Sequence, residues 1–169
     1  VVFKIVPMVN TDGVIHGNAR CELVGTDPNR RWKEPSKLLH PVVYQIRKSI
    51  EKTVGGVDMV LDLHSHSRKL GTFFYGNTQL HRPEASRVFP LFVCKNDPRF
   101  SFEDSRFGGG YATTARSALF KLLKIPKVYT VESSFYAYEK GKDVVQYLPE
   151  DYRNMGRSLL ENYASLLIQ

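Results

Sequence analysis

Cysteine is scarce in this sequence: Cys21 and Cys94 are the only two among 169 residues. Two thiols so far apart make no disulfide framework, so a reducing compartment is the expected setting and neither thiol is given a chemical role. Long apolar runs are missing as well, and none approaches the ~18 residues of a transmembrane helix. Val1-Val2-Phe3-Lys4 carries neither an initiator Met nor a signal-peptide pattern. A chain that opens directly on strand-like residues is expected to be a fragment, or a domain cut from something longer. Acidic residues are the minority charge, 17 against 24 Lys plus Arg, for a net charge of +7. That excess steers polyanions toward the protein. The basic residues are scattered, without a basic helix or an aromatic RNA-binding motif, which argues against nucleic acid. An acidic polypeptide accounts for the charge equally well.

What is present has an ordinary globular balance, 42% hydrophobic and 24% charged, and residues 1–169 are long enough for one domain with a real core. Val1 to Val9 reads as a strand. Asn10 to Lys33 is a long polar segment containing Gly13, Gly17, Gly25 and Pro28, and loops of that length are usually functional. Pro41 to Lys52 is a helix, with Val42, Val43, Ile46 and Ile50 on one face. Val57 to Leu63 and the aromatic Gly71 to Gly76 are strands. Pro83 to Lys95 contains helix that breaks or restarts at Pro90. Asn96 to Gly110 is irregular, Tyr111 to Leu123 helical, Val128 to Glu132 a buried strand and Tyr138 to Asp143 a charged loop. Glu150 to Ile168 is the clearest helix, with Tyr152, Met155, Leu159, Tyr163, Leu166 and Leu167 as its core stripe. Strands alternating with helices predict an α/β fold with a mostly parallel sheet.

His64, in Asp62-Leu63-His64-Ser65-His66-Ser67-Arg68-Lys69, follows an apolar run of strand length. Ligands sit where such strands end, and imidazole suits zinc; a hydrogen-bonded structural His is the plainer alternative. Three other stretches add to it: Gly17-Asn18-Ala19-Arg20, then Asp27-Pro28-Asn29-Arg30, and late in the chain Val131-Glu132-Ser133-Ser134-Phe135. In that order and at those intervals the chain resembles the M14 metallocarboxypeptidases. The cytosolic carboxypeptidase branch, which trims glutamates from tubulin and other acidic tails, is the better match. Phe100-Ser101-Phe102 and Thr114-Ala115-Arg116 support that choice. The resemblance runs nearly the whole chain and covers only the later, C-terminal part of the family's catalytic domain.

The resemblance implies a carboxypeptidase-like α/β/α sandwich with a mixed, mostly parallel sheet whose N-terminal strands are missing from this chain. It implies hydrolysis of C-terminal or side-chain-linked glutamate, a Zn2+ cofactor, and a cytoplasmic, cytoskeleton-associated location. His64 would be a zinc ligand and Glu132 the general base, then acid, with a pKa raised by its apolar surroundings. Arg20 would hold the oxyanion. Asn29 and Arg30 would grip the substrate's terminal carboxylate, which a guanidinium fork matches. Arg116 would select glutamate in the side-chain pocket, and Tyr111 lies where the family often places a mobile phenol. Asp27 would orient a zinc-binding His from behind. Each has a plainer alternative: solvated loop arginines, a turn-forming Asp before Pro28, a salt-bridged Glu, a helix-surface Arg116. His66 is left outside the metal set.

Two departures stand out. Pro28 occupies a position where the family has Leu, which a loop tolerates. More seriously, no His-x-x-Glu precedes His64, and that motif supplies the family's first two zinc ligands. His81-Arg82-Pro83-Glu84 has the spacing but follows His64 in chain order. One His cannot hold catalytic zinc, which takes about three protein ligands. Two functions are therefore open. The chain is an enzyme completed by an upstream segment or separate chain, or an inactive remnant that binds acidic tails or packs within a larger assembly. The first leads to the expectation that Val1 to Val9 does not pair with the His64 strand, and that another chain, the domain's own N-terminal part, fills the gap between them.

Overall fold

A computed structural model describes residues 1–53 and 55–168. Five α-helices and six strands alternate along it: α1 (Thr11–Ile15), α2 (Pro41–Glu51), β1 (Met59–His66), β2 (Thr72–Gly76), α3 (Ala85–Asn96), β3 (Arg106–Phe107), α4 (Ala115–Leu122), β4 (Lys127–Ser134), β5 (Ala137–Lys140), β6 (Asp143–Gln146) and α5 (Pro149–Leu166), with one 3₁₀ turn at Pro28–Arg30. Among the described residues no helix is long and apolar enough to cross a membrane. The chain groups into two compact units, Val1–Val60 with Gly109–Val128, and Leu61–Gly108 with Tyr129–Gln169.

The first unit is built on α2 and α4. Pro41 sits in the first turn of α2, where its missing N–H leaves no bond unmade. From there the 3-to-4 spacing turns Val43 fully inward, to pack with Trp32, Ala115, Ala118, Leu119, Ile125 and Val128. Ile46 and Ile50 flank that cluster. Thr114 caps α4 by accepting the Ser117 N–H. The strand expected over Val1 to Val9 does not form: the segment has no strand geometry, and Val1, Val2, Phe3, Ile5 and Val6 are exposed. A strand is stable only when a neighbour takes up its backbone groups. Pro7, which has no N–H, lies inside the segment.

The second unit holds most of a four-stranded sheet in the order β1-β4-β2-β3. β2 runs antiparallel to β4 and parallel to β3. The β1–β4 direction follows from its two ends. Lys127 Nζ is 2.8 Å from Asp58 Oδ2 at the start of both strands, and Phe135 N–H donates to His66 O (3.2 Å) at the finish of both. The two strands are therefore parallel, and the sheet is mixed and mostly parallel, as expected. An aromatic core of Phe73, Phe74, Phe89, Phe100, Tyr129 and Tyr163 lies in this unit, joined by Met155 and Leu159 of α5. Burying each such side chain contributes roughly 1.5–3 kcal/mol.

Two local readings are corrected. α3 is not broken at Pro90: the helix runs on through it, and Pro90 is buried. The Ser86 carbonyl, which a residue-90 N–H would otherwise reach, instead accepts the Tyr129 hydroxyl at 2.9 Å. The charged loop at 138–143 is a hairpin. β5 and β6 pair with Lys140 opposite Asp143, leaving Gly141-Lys142 as a two-residue turn with Gly141 at φ 68°.

Candidate active site

In the first unit, Asp27 organises the loop. Its Oδ1 accepts the Asn29 N–H at 2.8 Å. Its Oδ2 lies 3.2 Å from Arg20 Nη1 and 3.7 Å from Arg30 Nη1. Asp27 is thus a bracket for two guanidinium groups that would otherwise repel. Arg20 is the outer of the two and mostly exposed, whereas Arg30 stacks over the Tyr111 ring at 4.7 Å. Tyr111 is itself exposed. Asn29 turns its Oδ1 onto the Ala115 N–H (2.8 Å), one of the orphan donors at the start of α4. Trp32 N–H donates to Thr113 O at 3.1 Å. These two bonds tie the arginine loop to the head of α4, which carries Arg116.

Arg116 is buried, not spread on the helix surface, and its Nη2 donates to Gly109 O at 3.0 Å. Three arginines with an Asn and a phenol therefore come together in one unit. The chemistry suits an anion with two recognition points, because guanidinium forks take carboxylates bidentately. The loop has a second anchor that sequence reading missed. Glu22, half-buried, lies 2.8 Å from His40 Nδ1, accepts from Thr26 Oγ1 (3.3 Å) and closes a turn with the Thr26 carbonyl. Only the polar spacing hinted at it, since Glu22 and His40 are 18 residues apart.

The second unit carries the other two residues. His64 and Glu132 are not strand ends: β1 continues to His66 and β4 to Ser134. Their placement follows from register. The Phe135-to-His66 bond sets His66 beside Ser134, and two residues back His64 stands beside Glu132, on the same face, at the ~5 Å spacing of neighbouring strands. On its other side Glu132 pairs with Phe73. Glu132 is half-buried. His66 is held structurally: its Nδ1 accepts the N–H groups of Arg68 and Lys69, each at 3.1 Å, and its ring meets Phe73 edge-on. Lys69 bonds Asp104 at 2.7 Å, and that bond, with the Ser101 hydrogen bond and nearby cations, holds the Asp104 carboxyl below its ordinary range against the effect of burial.

A metal finds a partial set of donors. His64 Nε2 lies 2.8 Å from Asp62 Oδ2, yet that buried oxygen makes no hydrogen bond. An imidazole nitrogen and a buried carboxylate oxygen side by side suit a cation. The alternation of β1 puts Asp62 on His64's face, a signal present in the sequence and not used. However, no three His, Cys, Asp or Glu side chains converge among the described residues. The donors here fall short of a zinc centre, which needs about three.

No protein-family model matches the chain. It is 36% identical over 173 residues to mouse (Mus musculus) cytosolic carboxypeptidase 6, covering 96% of this chain and 32% of that protein. It is 37% identical over 163 residues to human (Homo sapiens) cytosolic carboxypeptidase 2, covering 92% of this chain and 18% of that protein. The chain thus spans a third or less of the length of these curated relatives. In fold it is similar to a metallo-carboxypeptidase from Pseudomonas aeruginosa, solved in complex with (2-guanidinoethylmercapto)succinic acid, with TM-score 0.83 and 23% identity over 96% of this chain and 45% of that one. It is likewise similar to a metallo-carboxypeptidase from Burkholderia cenocepacia, with TM-score 0.81 and 22% identity over 95% of this chain and 43% of that one.

Proposed function

The chain belongs to the M14 metallocarboxypeptidases, in their cytosolic carboxypeptidase branch, and from that premise we propose that it is the recognition-and-proton-transfer part of a carboxypeptidase acting on acidic polypeptide tails. What supports this reading is the placement of His64 beside Glu132 on one sheet face, a metal-type ligand next to a carboxylate able to move a proton. Zn2+ would be held by His64 with ligands from a missing N-terminal part of the domain, as a separate segment or chain, and would supply activated water and a polarised carbonyl. The chain's own residues do the rest. Asn29 and Arg30 bind the terminal carboxylate. Arg116 receives an acidic side chain, which fits glutamate and tubulin-like tails. Tyr111 covers Arg30 until substrate competes for it. Glu132 takes a proton from the attacking water and returns it to the leaving amine, so protons balance across the step. A cytoplasmic, cytoskeleton-associated setting goes with such substrates.

β1 stands at the end of the described sheet, beside β4, and a partner segment would pair along its other edge. A second reading is kept because the described residues supply too few metal donors: a catalytically inactive relative that holds acidic tails. Glu132→Gln in the complete, zinc-supplied protein separates the two. The enzyme reading expects turnover of a glutamate-ended peptide to fall ~10²–10⁴-fold with binding unchanged. Wild-type protein, complete and supplied with zinc, that binds the peptide and never turns it over would establish the inactive reading.

A further inference from the structure

Gly108, Gly109 and Gly110 all take left-handed backbone, with φ of 98°, 69° and 90°. Only glycine adopts such a run without strain. The last two differ in what a side chain would meet. A methyl on residue 109 would find nothing within 4 Å, whereas one on residue 110 would overlap Arg116 Nη2, with Arg116 Cζ 3.7 Å away. The same Nη2 donates to Gly109 O. The guanidinium therefore sits in the space that the absent Cβ of Gly110 leaves, with the preceding carbonyl as its stop. At the other end, Arg116 is the second residue of α4, whose first N–H is fixed by Asn29.

We propose that Gly110 is a specificity-determining residue: its missing side chain seats the Arg116 guanidinium against the Gly109 carbonyl, in the pose that favours an acidic C-terminal residue over an apolar one. The inference rests on the reading of Arg116 as the acid-selecting group. A guanidinium held between a carbonyl and a glycine is preorganised, so an incoming carboxylate loses less in ordering it. A methyl at residue 110 would push Nη2 off the carbonyl and turn the fork, while the arginine stays in the chain.

The test uses the complete protein and two labelled peptides differing only in a final Glu or Leu, with dissociation constants read by fluorescence anisotropy. Wild type should prefer Glu, and Arg116→Ala should erase the preference. Gly110→Ala should cut it ~10-fold, the scale of one charge-assisted contact. Gly109→Ala, with similar backbone strain but open space, should leave it within about twofold of wild type. In the Arg116→Ala background, Gly110→Ala should add nothing to the ratio. If Gly110→Ala alone does not fold, the double variant should, because the clash is gone. A double variant that also fails to fold, a Gly110→Ala ratio like wild type, or equal losses from both glycines would overturn this inference and leave the Arg116 reading standing. Wild type without a Glu preference, or Arg116→Ala retaining one, would overturn both.

Discussion

At the scale of single residues, Asp27 shows what sequence conveys and what it hides. The motif Asp27-Pro28-Asn29-Arg30 was legible as a loop whose Asn29 and Arg30 are expected to grip a carboxylate. That Asp27 holds Arg20 as well as Arg30 was not, because the Arg20 contact depends on how the intervening turn closes on Glu22 and His40. Arg116 was legible as a charge on a helix, but its burial is set by a glycine loop with no periodicity to read. Asp27→Ala should release both arginines and the Asn29 N–H at once. A hydrogen bond to a charged group is worth ~1.5–3 kcal/mol. The exposed Arg20 pair contributes little of that, and Arg30, 3.7 Å from the same oxygen, is held by charge alone, so most of the loss falls on the Asn29 bond that shapes the carboxylate-binding loop. The preference for a peptide acid over its C-terminal amide should therefore shrink by about tenfold, which competition binding of the two peptides would register. An unchanged preference would detach Asp27 from carboxylate recognition.

Among the elements, long periodic segments were the readable ones. α2, α5 and the strands β1, β2 and β4 appear where apolar spacing put them, within a few residues at the ends. Errors arose where a neighbour outside the local sequence decides. Val1–Val9 has strand composition and does not take strand geometry, and α3 survives Pro90 because Tyr129, 39 residues on, satisfies the freed Ser86 carbonyl. The β5–β6 hairpin was missed because Glu139, Lys140, Lys142 and Asp143 read as a solvated loop, although Gly141 followed by one residue is a tight-turn signature. Its left-handed φ makes Gly141→Val informative: a side chain there costs about 1–2 kcal/mol, and the melting midpoint should drop by a few degrees. A variant as stable as the parent would mean the turn adopts another geometry.

For the molecule as a whole, stability should fail on the alkaline side in a defined window. Burial, then the Asp97 charge, pushes the Cys94 thiol up to about 12. Burial likewise pushes the Tyr147 phenol up to about 12, against the opposing Thr72 hydrogen bond. Both folded values exceed the unfolded ones, so the unfolded chain loses these protons first. Their contribution is whole below pH ~9 and disappears as pH rises toward ~12, at up to ~1.4 kcal/mol per unit for each group. Urea midpoints measured from pH 8 to 11 should fall, and Cys94→Val should flatten the early part of that fall; a level profile would contradict the burial of both groups. The sheet order β1-β4-β2-β3 has a further consequence, one of timing. β4 is made last of the four, yet it lies between β1 and β2. A ribosome adding ~5–20 residues per second leaves β1 waiting several seconds for the strand that completes its inner edge. During that wait β1, with Met59, Val60, Leu61 and Leu63 along it, hangs without its sheet neighbour beside the tunnel exit. The growing chain is then at its most adhesive, and chaperones have their longest opening to act on it.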